Sequence, residues 1–122
     1  MIWIAVGVGG ALGSLARHLV NHFVTQGLER TGPLATFIVN VAGCVVIGAL
    51  AGRIAGGRLH LGNIGRAFVF VGILGGFTTF SSFGLDTFTL AHGGKHATAF
   101  WNIAGQLGLG LGGLWLGYQL GL

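Results

Sequence analysis

The sequence predicts an all-α membrane protein: four transmembrane helices, the third broken near its middle, assembling as an antiparallel dual-topology dimer. Three observations lead there. Apolar residues make up 52% of the 122 and charged residues 7%, far below the roughly one-quarter charged that soluble domains carry. Four apolar stretches, at about 1–23, 33–51, 67–91 and 97–122, each approach or exceed the roughly 20 residues needed to cross the hydrocarbon. The third holds the nonapeptide Gly75-Gly76-Phe77-Thr78-Thr79-Phe80-Ser81-Ser82-Phe83. Its glycine pair weakens the helix at membrane depth, where irregular backbone is tolerated only under protein cover or beside a watery cavity. With only short loops left over, residues 1–122 form a single domain.

In the first span no basic residue precedes the apolar run, and Arg17 comes near its far end. That order argues for a retained helix rather than a secretory signal. Gly9 and Gly13 have the small-xxx-small spacing that lets helix backbones approach closely. Gly7, Gly9 and Gly13 also resemble a dinucleotide loop, but Leu12 occupies the third glycine position and no strand-helix-strand unit surrounds it, so nucleotide binding is not expected. The span ends with His18 and His22, one helical turn apart.

The second span places Asn40 in its middle, with Thr36 one turn earlier on the same face. A buried amide needs a partner, and two are open to it: an interhelical hydrogen bond, or an anion on a polar path, to which its NH2 group offers two hydrogens. The lone Cys44 excludes an intrachain disulfide and reads as a small packing residue. Gly48 and Gly52 repeat the close-approach spacing.

In the third span, a helix restarting after Thr79 sets Phe80 and Phe83 on one face with Ser81 and Ser82 beside them. Ring edges carry the positive part of the aromatic quadrupole, so they suit a small hard anion without offering a full charge that would trap it. The break frees carbonyls between Gly75 and Thr79 from their helical partners. Where two such breaks meet on a dimer axis, they suit a small hard cation of structural use.

The fourth span is glycine-rich, with Gly108 and Gly112, and Gly113, Gly117 and Gly121, in register. Asn102 and Gln106 are its only polar side chains between Thr98 and Tyr118. Trp3, Trp101, Trp115 and Tyr118 fall near span ends, where amphipathic rings favour the headgroup level.

Four spans put both termini on one side, together with Arg53, Arg58 and Arg66; the other side receives Arg30 and Lys95, plus Arg17 if it snorkels outward. Because Lys and Arg asymmetry sets orientation, an even split lets the chain insert both ways up, and a twofold antiparallel dimer is the natural assembly. The net charge of +4 comes from scattered residues rather than a stripe, which argues against nucleic acid. Glu29 and Asp86 are the only acids, too few for paired-carboxylate catalysis, so no enzyme is expected. His92 and His96 repeat the spacing of the first histidine pair; with no cysteine or carboxylate pattern beside them, both pairs read as titrating interfacial groups rather than zinc ligands.

Three segments then carry a resemblance to the Fluc fluoride channels, also called CrcB proteins: Gly9-Gly10-Ala11-Leu12-Gly13-Ser14-Leu15-Ala16-Arg17, Thr36-Phe37-Ile38-Val39-Asn40-Val41-Ala42-Gly43, and Gly75 through Phe83. The resemblance covers essentially the whole chain. It implies a dual-topology homodimer in the bacterial inner membrane, with two antiparallel fluoride pores and a sodium ion, Na+, at the twofold axis. By motif position Phe80 and Phe83 look like the pore phenylalanines, Asn40 the pore amide and Arg17 the vestibule arginine. Ser81 and Thr36 look like members of a hydroxyl track, and Gly75 and Thr78 like the residues whose carbonyls hold sodium. The family continues that track with hydroxyls in its fourth span, where this chain has Asn102 and Gln106, and an aromatic usually follows the arginine where this chain has His18. The implied function is passive export of cytoplasmic fluoride down its electrochemical gradient, giving fluoride resistance. The alternative is a small multidrug resistance-type proton-coupled exporter, which shares four spans and dual topology but needs an intramembrane carboxylate; a purely structural membrane subunit is a third reading.

Overall fold

The computed structural model describes residues 1–27 and 32–122, and all of their regular structure is helical. Glu29 and Arg30 lie outside the described residues. Helix α1 spans Ile2–Gly27 and α2 spans Gly32–Ala55. Pro33 falls in the first turn of α2, where a missing N–H leaves no intrahelical bond unmade. A third helical stretch is built from α3 at Asn63–Arg66, a π-helical run at Ala67–Leu74 and α4 at Gly75–Phe77. Helix α5 then runs over Phe80–His92 and α6 over His96–Gly121. Between α4 and α5 two residues are extended: Thr78 at φ −82°, ψ 159° and Thr79 at φ −152°, ψ 116°.

Among the described residues three stretches, Ile2–Gly27, Pro33–Ala55 and Asn63–His92, are long and apolar enough to cross a membrane. At 26 residues α6 equals α1 in length, about 39 Å at the helical rise, and it carries Asn102 and Gln106 buried on its inner face. Helices outrun the apolar stretches by a few residues, as α1 does to Gly27 and α2 to Ala55, because hydrogen bonding within a helix does not stop where the apolar run does. Gly57 and Gly94, at φ 71° and 83°, provide the left-handed residues that let the chain turn after α2 and α5. Arg58 N–H then bonds the Arg53 carbonyl at 2.8 Å, and Lys95 N–H the Leu90 carbonyl at 2.8 Å, the pattern of a glycine-closed helix end.

Packing is set by the glycines. Helix α2 makes its most extensive contact with α6, and α1 with the π-helical run and α4. A Cβ at Gly48 or Gly52 would strike the backbone of Leu114 or Tyr118 on α6, and one at Gly117 or Gly121 the carbonyls of Val45 or Ala49 on α2. The α1 contact repeats this arrangement with Gly9 and Gly13 against Phe68, Gly72 and Ile73. Backbones that touch gain dispersion along their whole length, which drives association where lipid removes the hydrophobic incentive. Gly108 and Gly112, expected to form another contact pair, have nothing within 4 Å of a Cβ position and face away from the rest of the chain. The interior is correspondingly thin: among the described residues Ala35, Val39, Leu74 and Ala99 are the buried apolar ones, while Trp3, Phe80 and Leu120 stand well exposed.

Candidate functional site

Thr79 organises the middle of the molecule. As the N-cap of α5 its hydroxyl accepts the Ser82 N–H at 3.2 Å, satisfying one of the orphan donors of the restarting helix. The same hydroxyl lies 3.2 Å from Ser82 Oγ and 3.4 Å from Ser81 Oγ, so three hydroxyls cluster at the start of α5. On the other side of the gap, Thr78 closes α4 by returning both its N–H and its hydroxyl to the Leu74 carbonyl, each at 3.0 Å.

The extended pair is held from across the bundle. Asn40 Oδ1 accepts the Thr79 N–H at 2.9 Å, and Asn40 Nδ2 donates to the Thr79 carbonyl at 3.0 Å. A side-chain amide has the donor and acceptor of a peptide group, so Asn40 pairs with Thr79 as a neighbouring strand would. In a continuous helix the Thr79 N–H would bond the Gly75 carbonyl; here it is given to Asn40 instead. Arg17 Nη1 donates to the Thr78 carbonyl at 3.4 Å, turning the cation of α1 toward the gap.

Asn40 has one more partner, Gln106 Oε1, to which Nδ2 donates at 2.7 Å. From there a chain of donors runs outward: Gln106 Nε2 to Asn102 Oδ1 at 3.0 Å, Asn102 Nδ2 to the Thr87 hydroxyl at 3.0 Å, and that hydroxyl to the Phe83 carbonyl at 2.8 Å. Gln106 and Asn102 are 8% and 7% exposed, so this is a desolvated network in which every unmet donor is costly.

A cavity of about 400 Å³ opens beside these groups. Of the residues assigned to the fluoride path or the sodium site it gathers Asn40, Gly75, Thr78, Phe80 and Phe83, and it adds Thr79 and Gln106. The Phe80 and Phe83 rings lie 5.6 Å apart at 52°, presenting neither a stacked pair nor a closed lid. Ser81 joins through the Thr79 hydroxyl, while Thr36 is buried one turn below Asn40 and outside the cavity wall. Among the described residues Asp86 Oδ2 is buried with no hydrogen-bond partner. The two histidine pairs stay apart from the site; His22 packs edge-on to Phe23 and His92 stacks on Phe88. Among the described residues no three His, Cys, Asp or Glu side chains gather.

From the residues alone, Gln106, Asn102 and Thr87 have no roles. Two amides at i and i+4 on an otherwise apolar helix were the available signal, since such a pair shares one face and must be satisfied there.

Comparison with known proteins covers nearly the whole chain. The family model described as CrcB-like protein, Camphor Resistance (CrcB) matches residues 4–118. A fluoride-specific ion channel FluC from Opitutus terrae is 43% identical over 118 residues, covering 96% of this chain and 89% of its own. Proteins of that name from Nitrobacter winogradskyi and Paracoccus denitrificans are each 44% identical, covering 96% and 98% of this chain and 92% and 93% of theirs. Matched from the first span into the last, this chain belongs to the CrcB family.

Proposed function

We propose that this protein is a passive fluoride-selective ion channel that lets cytoplasmic fluoride leave down its electrochemical gradient and so confers fluoride resistance. Its relatives bear the name fluoride-specific ion channel, and the work is transport rather than catalysis. The observation that carries the reading is the extended Thr78-Thr79 pair at mid-span, clamped by Asn40 and flanked by hydroxyls and the two phenyl rings. These are weak donors. Hydroxyls, an amide and ring edges can replace the water around a small anion without the full charge that would hold it.

In this reading α6 is a fourth span, residues 1–122 form one four-helix domain, and two copies associate antiparallel in the bacterial inner membrane. Phe80 is 82% exposed on one chain, which suits a ring that meets a second copy. Asn40, Phe80, Phe83, Ser81, Thr36 and Arg17 line or lead to the fluoride path. In the same reading the carbonyls of Gly75 and Thr78 hold a structural sodium ion at the twofold axis: the first has lost its helical donor to Asn40, and the second, which accepts from Arg17, keeps a further lone pair. When bound, sodium would offset the carbonyl dipoles freed at the break; this chain's own part is to hold the extended backbone there through the Asn40 clamp.

The exporter alternative needs a carboxylate at mid-span; Asp86, the sole acid in the third stretch, comes two turns after Thr79 on α5, away from the gap. Fluoride-loaded proteoliposomes are expected to empty far faster than chloride-loaded ones, and Phe80→Ile or Asn40→Asp to suppress that release. Equal chloride efflux through the unmodified protein, read with ion-selective electrodes, would refute the proposal.

A further inference from the structure

Asn40 has no hydrogen to spare. Its Nδ2 gives one to the Thr79 carbonyl and the other to Gln106 Oε1, and an amide nitrogen carries only two. An anion therefore reaches this donor by displacing one of the two acceptors. They are not equally replaceable. Thr79 is held through both its N–H and its carbonyl, and releasing it would orphan backbone groups at the cap of α5. Gln106 is a long side chain on another helix, and its nitrogen stays anchored to Asn102 while its oxygen lets go.

We propose that Gln106 is a specificity-determining positioning residue: its amide oxygen occupies the second Asn40 hydrogen and yields it only to an anion that is a stronger acceptor. The inference rests on the channel reading above. Fluoride concentrates its charge on a small radius and so draws a donor harder than a neutral amide oxygen does. Chloride spreads the same charge over a larger sphere, approaches less closely and does not displace Gln106. After fluoride moves on, the Gln106 bond re-forms behind it, so entry and exit are both eased by one exchange. The bond is short, at 2.7 Å, and Gln106 is only 8% exposed, so its oxygen is already seated on the hydrogen before an anion arrives.

The test replaces Gln106 with methionine, close in length and volume but without the acceptor. Single-channel or liposome flux is measured against fluoride concentration, with chloride in parallel. The half-saturating fluoride concentration is expected to fall about threefold to tenfold, the worth of one competing hydrogen bond, while maximal flux drops and chloride leak rises. A half-saturating concentration that stays put, with chloride still excluded, overturns the role. Should Gln106→Met not reconstitute, side-chain amide resonances of the 15N-labelled unmodified protein decide: fluoride is expected to move those of Asn40 and Gln106 together and chloride neither. Fluoride moving Asn40 while leaving Gln106 unmoved overturns the inference. Absence of fluoride flux through the unmodified protein takes down the channel reading and this role together.

Discussion

A single hydroxyl at Thr79 and a single amide at Asn40 hold the gap between α4 and α5 open. The amide satisfies the backbone, and the hydroxyl caps the first turn of α5. These contributions separate by mutation. Thr79→Val keeps the β-branched shape and the backbone pairing with Asn40 but removes the cap, and is expected to cost about 1 kcal/mol of stability, seen as a lowered thermal midpoint in detergent. Asn40→Leu leaves the Thr79 N–H and carbonyl without their protein partner in a part-buried site and is expected to cost about 1–3 kcal/mol, a larger drop in the same measurement. Equal effects from the two would mean that the clamp and the cap are not distinct. Much of this was legible from residues alone: Asn40 stood out as an amide in hydrocarbon, and Thr79 as the last residue before a new helix. That Asn40 bonds backbone and Gln106 at once was not, because the residues are 39 and 66 positions apart in the chain and only packing decides which faces meet.

Two helix pairs, α2 with α6 and α1 with the third stretch, are zipped by glycines. A Cβ at Gly52 would meet the Tyr118 backbone, which no side-chain rotation relieves. Gly52→Val is therefore expected to destabilise by about 1–3 kcal/mol or more, read as earlier thermal aggregation on size-exclusion chromatography. Gly108→Ala, with nothing near the added methyl, is expected to leave the midpoint within about 0.5 kcal/mol. A similar loss at both sites would refute the zipper. Spacing by itself marks Gly48 and Gly52 no differently from Gly108 and Gly112; the difference is one of face, and a helix that is apolar all round gives no amphipathic stripe from which to read it. The π-helical run at Ala67–Leu74 was similarly invisible, since its residues fit an α-helix equally well by composition.

For the whole molecule, the proposed dual orientation depends on a near-even charge count in the loops, Arg53, Arg58 and Arg66 on the side of the termini against Arg30 and Lys95 on the other, since Arg17 turns to the Thr78 carbonyl rather than outward. Replacing Leu61 and Gly62 with lysine adds two positive charges to the loop on the side of the termini. Cysteine-accessibility labelling at the C terminus is expected to shift from both faces to the cytoplasmic face alone, and fluoride efflux to collapse for want of an inverted partner. Co-expression with a copy biased the other way is expected to restore it. Efflux that survives in a single orientation would rule out the antiparallel assembly. Exchanging sodium for N-methylglucamine is expected to lower the thermal midpoint of the unmodified protein, and an unchanged midpoint would count against a bound structural cation.

The Phe80 ring has four-fifths of its surface bare on the isolated chain, and lipid offers it no ring edge or hydroxyl in return. If the proposed dimer is what covers it, transport is subject to mass action: diluting the protein into ever more bilayer thins out pairs faster than chains. Conductance per molecule should decline on dilution, with the steepness of a bimolecular equilibrium.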